Sequence, residues 1–155
     1  MTTYYDESLN DETFKIIIST CYSATLSSLN DPKRFQYRAR TIGIIIYDMS
    51  WATPKWISVG SIRAKQKTPE HYHGRQAGGE EILKYVKRQR INRKRIDVQE
   101  IKKLVDKHRQ VHFTSAKENN KLATMDRENW KTMYRKCGIK LIPYVKHQRY
   151  EVYSV

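Results

Sequence analysis

The sequence predicts a small single-domain α+β protein in which a strand and helix motif is interrupted by a helical insertion and flanked by further helices. Three observations predict it. At 155 residues and 39% hydrophobic content, the chain supports one modest core and not two large ones. Two apolar runs rich in β-branched residues, Thr41 to Tyr47 and Trp56 to Ile62, read as strands. Between two short segments of mixed character, Thr68 to Gln76 and Gln110 to Leu122, the apolar residues recur at helical spacing.

Taken in order, residues 1–10 are polar and read as loose. From Asp11 onward, Phe14, Ile17, Ile18, Cys21 and Thr25 form one apolar stripe, which predicts a helix ending near Asn30, Asp31 and Pro32. The run Ile16 to Ile18 keeps a strand reading open for part of it. Thr41 to Tyr47 is read as a buried strand and Trp56 to Ile62 as a second one after a turn at Thr53 and Pro54, the two forming a scaffold. Pro69, Gly74, Gly78 and Gly79 then argue for an extended or looped segment that displays Glu70 and His71 at the surface.

A helix is expected from near Gln76 through Ile82, Leu83 and Val86 to about Arg90. Asp97 and Glu100 cap the next, whose packing side is Val98, Ile101, Leu104, Val105 and His108, which makes His108 a helix-end histidine. Gln110 to Thr114 reads as a short strand with Val111 and Phe113 on one face and Gln110 and His112 on the other. Ser115 and Glu118 form an S-x-x-E capping box, which starts a helix there and puts Asn119 and Asn120 in its first turns. Asp126 is expected to cap a further helix with Trp130, Met133 and Tyr134 inward, Lys131, Arg135 and Lys136 outward, and a stop at Gly138. The tail reads as a strand through Pro143, followed by Tyr144, Tyr150 and Tyr153 interleaved with Lys146, His147 and Arg149.

The net charge of +14 is unevenly spread along the chain. Residues 1–60 carry six Lys/Arg against six Asp/Glu, and residues 61–155 carry 24 against ten. This divides the domain into a neutral scaffold part, 1–62, and a basic part, 63–155, for which a polyanion is the natural partner. In Lys84 to Arg95, seven of twelve residues are basic: Lys84, Lys87, Arg88, Arg90, Arg93, Lys94 and Arg95. Such density suits phosphate neutralisation. No apolar run approaches a membrane span and no amino-terminal signal pattern is present, so a membrane is not expected as partner and a cytoplasmic location is. Cys21 and Cys137 make no metal-ligand pair, and reduced thiols fit that location.

Two segments carry candidate chemistry. TPEHYHGRQ offers the adjacent carboxylate and imidazole of Glu70 and His71, then Arg75; QVHFTSAKENNKL offers Asn119 and Asn120. A carboxylate and an amide oxygen are hard ligands suited to Mg²⁺ or Mn²⁺, and a neutral imidazole beside them can take a proton from water. An acidic residue followed by His, then a strand ending in Thr and a helix carrying E-N, resembles the HNH (ββα-metal) nuclease motif, especially as phage homing endonucleases carry it.

The resemblance implies a ββα-metal-like motif interrupted by the helical insertion, with His71 as general base and Glu70 and Asn119 as ligands of the metal. Arg75 is assigned to a phosphate oxygen. His73 is the reserve base, His112 a further possible site residue, and Asn120 the substitute ligand. The expected activity is metal-dependent endonucleolytic cleavage of double-stranded DNA, in the host cytoplasm if phage-encoded. The rival is a non-catalytic DNA- or RNA-binding protein using the same basic surface. Target sequence, strand preference and oligomeric state are left open by the residues, a monomer being among the options.

Overall fold

The computed structural model describes residues 7–49, 56–64, 67–70, 75–125 and 129–144. In chain order the elements are α1 (Glu7–Ser23), α2 (Leu26–Asn30), α3 (Pro32–Met49), β1 (Trp56–Ser58), α4 (Val59–Ile62), β2 (Thr68–Glu70), α5 (Arg75–Ile91), α6 (Val98–His108), β3 (His112–Thr114), α7 (Ala116–Ala123), α8 (Trp130–Lys136) and β4 (Leu141–Pro143). The protein is α+β, as expected, and mostly helical. Its described residues separate into two compact units, one drawn from 1–51 and 73–109 and the other from 52–72 and 110–155. The expected division at residue 62 is not the structural one. The insertion α5–α6 belongs with the amino-terminal helices, and both units are cationic: 17 Lys/Arg against 11 Asp/Glu in the first, 13 against five in the second.

The helical unit has one core, built from Ile17, Cys21 and Leu29 of the first two helices, Ala39, Ile42 and Ile46 of α3, Ile82, Leu83 and Val86 of α5, and Ile101 and Val105 of α6. Thr41 to Tyr47 lies inside α3 and is not a strand. Two features override its β-branched composition. Asp31 Oδ1 accepts from the backbone N–H groups of Lys33 and Arg34, with Pro32 at the first helical position, so a helix is nucleated just upstream. Ala39, Ile42 and Ile46 then fall at spacings of three and four and are buried, whereas Ile44 is 45% exposed.

The partner surface is α5, which touches α3 more extensively than any other pair of elements touch. Gly78 and Gly79 sit within α5 and not in a loop, because the helices approach closely: a Cβ on Gly79 would lie 2.6 Å from the Ala39 carbonyl carbon. Burial pushes the Cys21 thiol up to about 12, so it stays protonated as a packing residue.

The expected single helix over 11–30 is two. Thr25 adopts extended backbone (φ −85°, ψ 157°) and its hydroxyl accepts from Ser28 N–H, so a local side-chain cap ends α1 and starts α2. The α5 and α6 helices match expectation, including the Asp97 cap and the buried Ile101, Val105 and His108. His108 Nε2 bonds Glu81 Oε2, tying α6 to α5, and Lys107 Nζ reaches both Glu81 oxygens at 3.0 and 3.1 Å.

The mixed unit holds a four-stranded sheet of order β2-β3-β1-β4, with β1 parallel to β3 and the other two pairs antiparallel. The expected strand Trp56 to Ile62 stops at Ser58, whose hydroxyl accepts from Ser61 N–H at 3.0 Å and turns the chain into α4. Helix α8 is capped by Asn129, whose Oδ1 accepts from Lys131 N–H at 3.0 Å; Asp126, the expected cap, lies outside the described residues. It ends as expected at Gly138 (φ 68°), in a Schellman turn closed by Ile139 N–H to Tyr134 C=O at 2.9 Å. Its inner side joins Leu122, Met133, Tyr134 and Ile139 in a second core. Tyr144 stacks edge-on to Phe113 at 5.2 Å and so serves packing; residues 145–155, with the remaining tyrosines of the tail, lie outside the described residues. Among the described residues no helix is long and apolar enough to cross a membrane.

Candidate functional site

The site is built on β2, β3 and α7 of the mixed unit. Strand β2 pairs antiparallel with β3 in the register Thr68↔Thr114 and Glu70↔His112. Residues directly opposite share a face, and alternation puts Thr68, Glu70, His112 and Thr114 together. Thr114 Oγ1 donates to Thr68 C=O at 3.2 Å, which pins the register at its far end. Glu70 is 6% exposed. It is therefore a buried strand residue and not part of a displayed loop; a strand of three residues containing Pro69 is too short for sequence patterning to register.

Helix α7 starts directly after β3 because Ser115 caps it. Glu118 N–H donates to Ser115 Oγ at 3.2 Å and Ser115 N–H donates to Glu118 Oε2 at 2.9 Å, the reciprocal box expected from S-x-x-E. A further bond was not legible: Ser58 Oγ donates to Glu118 Oε2 at 2.5 Å, locking the start of α7 to the end of β1 across 60 positions of sequence. Gly60 leaves room for this carboxylate, since a Cβ there would lie 2.9 Å from Glu118 Cδ. With its start fixed, α7 runs against β2. Asn119 is half-buried in its first turn and Asn120 is exposed. The strand that carries Glu70 and the helix that carries Asn119 are thus neighbours, though 49 positions separate the two residues.

His112, a possible site residue from the sequence, is enclosed. It is 2% exposed, its Nδ1 lies 3.2 Å from Tyr134 Oη, and Trp130 and Tyr134 stand edge-on to it at 5.0 and 5.5 Å. An imidazole enclosed this way orders the sheet face and is shut off from bulk water. His71 and His73 lie outside the described residues. Arg75 opens α5, in the helical unit.

Glu70 and Asn119 offer a carboxylate and an amide oxygen, the hard donors that Mg²⁺ and Mn²⁺ take, on two adjoining elements. Among the described residues no group of three or more His, Cys, Asp and Glu gathers in a metal-ligating cluster.

The basic stretch is divided by the structure. Lys84 and Arg88 are exposed on α5, Lys87 is half-buried, and the helix ends at Ile91. Arg90 was expected to contact nucleic acid, but its guanidinium donates to the Tyr22 carbonyl at 2.8 Å, where it ties α5 to the end of α1. Arg93, Lys94 and Arg95 are exposed in the following turn. Lys94 N–H to Gln89 C=O at 2.8 Å and Arg93 N–H to Arg90 C=O at 3.2 Å make it a second Schellman turn. The residue in the left-handed position is Arg93 (φ 51°), where Gly is the usual choice. Comparison with family models, with curated proteins and with solved structures finds no match to this chain.

Proposed function

We propose that the protein is a metal-dependent endonuclease that hydrolyses phosphodiester bonds of DNA, with its active site on β2, β3 and α7. The observation that carries this reading is the adjacency of β2 and α7. Two hard oxygen donors, Glu70 and Asn119, come from neighbouring elements, and His71 follows Glu70 directly in the chain. Glu70 and Asn119 would hold Mg²⁺ or Mn²⁺, with Asn120 next in line on the exposed side of the same turn. The bound cation supplies Lewis-acid stabilisation of charge on the leaving 3′ oxygen. His71 takes the proton from the attacking water. The capping box and the Ser58 bond hold Glu118, so that carboxylate sets the position of α7 and is not available as a ligand or base. Exposed Lys84, Arg88, Arg93, Lys94 and Arg95 of the helical unit, and the cations of the mixed unit, neutralise backbone phosphates without regard to sequence.

Supercoiled plasmid incubated with the protein and Mg²⁺, with and without chelator, tests the reading. Nicked or linear product that disappears with chelator is expected. His71→Ala should lower cleavage on the order of a hundredfold, the scale of a lost general base, and leave DNA binding intact. Glu70→Ala and Asn119→Ala should recover part of their lost rate at higher Mg²⁺ or with Mn²⁺. Chelator-insensitive binding with no cleavage would replace the enzyme by a non-catalytic nucleic-acid-binding protein.

A further inference from the structure

The mixed unit has a groove of about 340 Å³ between α8 and β4, formed by Trp130, Lys131, Tyr134, Arg135, Lys140 and Leu141. Its floor is aromatic and aliphatic, its rim is three exposed cations, and among the described residues no carboxylate lines it. The W-K-x-x-Y-R spacing along one helix produces this mixture, since residues four apart lie above one another and each aromatic is followed by a cation. Lys131 Nζ lies 5.7 Å from the Trp130 ring centroid, so one cation is already held beside an aromatic ring. Gly138 contributes no side chain, and a Cβ there would meet nothing within 4 Å, which keeps the end of the groove open.

An aliphatic ligand would leave three cations without counter-charge, and a bare phosphate would leave the ring surface unused. One nucleotide satisfies both, with its base against the aromatic floor and its phosphate at the rim. The volume matches a small-ligand site. The groove also connects to the candidate active site, for the Tyr134 ring in its floor carries the hydroxyl that bonds His112, and His112 stands opposite Glu70 on the sheet.

Resting on the nucleic-acid reading above, we infer that the α8–β4 groove binds one unpaired nucleotide of the substrate strand by stacking and phosphate pairing. A base inside a duplex has both faces covered by its neighbours and cannot enter. The substrate class is therefore DNA that is single-stranded or locally opened beside the cleavage point.

The full-length protein carrying Trp51→Phe and Trp56→Phe, with Trp130 as the remaining tryptophan, is titrated in EDTA with a 5′-phosphorylated strand of about ten nucleotides. The same strand in a blunt duplex is the comparison. Quenching of Trp130 fluorescence by the single strand, and weaker quenching by the duplex, is expected. Trp130→Leu in the wild-type background, followed by strand anisotropy, should weaken binding on the order of tenfold, within the range for one stacked base. Arg135→Gln with Lys140→Gln, both at exposed positions, should weaken it and flatten the salt dependence by about 0.7 per phosphate lost. Unchanged affinity in Trp130→Leu and in the charge variant, or equal quenching by the duplex, overturns the inference. Because chelator blocks cleavage throughout, the two proposals fail separately. Trp130-dependent strand binding without plasmid cleavage removes the nuclease and keeps the groove, while plasmid cleavage with groove variants that bind normally does the reverse.

Discussion

Gly79→Ala tests the packing on which the helical unit depends. In an ordinary exposed helix this change stabilises by about 1 kcal/mol, since Ala has the higher helix propensity. Here the new Cβ would lie 2.6 Å from the Ala39 carbonyl carbon and 2.9 Å from its Cα, and closer still to the carbonyl oxygen. These are backbone atoms of α3, which cannot rotate away as a side-chain tip would. Ordinary contact begins near 3.4 Å, so the two helices must separate by roughly 1 Å, a gap that forfeits about a quarter to a half of the dispersion attraction across it. Six buried residues, Ala39, Ile42, Ile46, Ile82, Leu83 and Val86, lie on these two helices. With burial of an aliphatic side chain contributing about 1.5–3 kcal/mol, losing part of it at several positions outweighs the propensity gain. The expected net destabilisation is about 2–4 kcal/mol, consistent with overpacked cores. Urea unfolding followed by far-ultraviolet circular dichroism measures it, with Gly138→Ala as a control that should cost only about 1 kcal/mol, from its left-handed backbone alone. If Gly79→Ala were neutral or stabilising, the α3–α5 contact would be wrong, and the strand reading of Thr41 to Tyr47 would return.

Two further outcomes separate folding from function. Arg93→Gly should raise stability by up to about 1 kcal/mol, because Gly removes the left-handed strain of a Schellman turn, and should weaken DNA binding with a salt slope smaller by about 0.9; denaturation and anisotropy on the same sample check both, and a fall in stability refutes the assignment. Burial raises the Glu81 carboxyl, but bonds from His108 and Lys107 and their charges outweigh it and hold the group below its ordinary value of 4.5. Its stabilising share is thus present above that value and lost as pH falls through the depressed one. Wild type should exceed Glu81→Gln in denaturant midpoint at neutral pH, with the gap closing below about pH 4.5; a gap independent of pH would refute the ion-pair account.

What was legible in the sequence was what is decided locally. The box of Ser115 and Glu118, the Asp97 cap, the Gly138 stop and the buried side of α6 all follow from residues within a few positions of one another, and they are found in place. Thr41 to Tyr47 failed because its composition favours a strand while its environment is a helix surface 30 to 40 positions away; the telling residue was Ala39, just outside the apolar run. Gly78 and Gly79 looked like breakers because their use, close approach to another helix, depends on that same distant partner. Glu70 looked exposed for the same reason, as its burial comes from pairing with β3. Arg90 counted as one more positive charge until the Tyr22 carbonyl gave it a structural task.

The pairing of β2 with β3 gives the intervening chain an unusual topological status. Because Glu70 and His112 are direct cross-strand partners, everything between them is, to the sheet, the loop of a β-hairpin, entering and leaving at a separation of about 5 Å. Compared with a two-residue turn, closing a flexible connection of that length would cost roughly 3 kcal/mol more in chain entropy. Folding α5 and α6 against each other removes much of that freedom beforehand. The insertion is therefore tied at both levels: the sheet holds its two ends a strand spacing apart, with the Thr68–Thr114 bond fixing the register, while Ile82, Leu83 and Val86 of α5 complete the helical core, so exchanging it for a short turn would strip α3 of its packing partner.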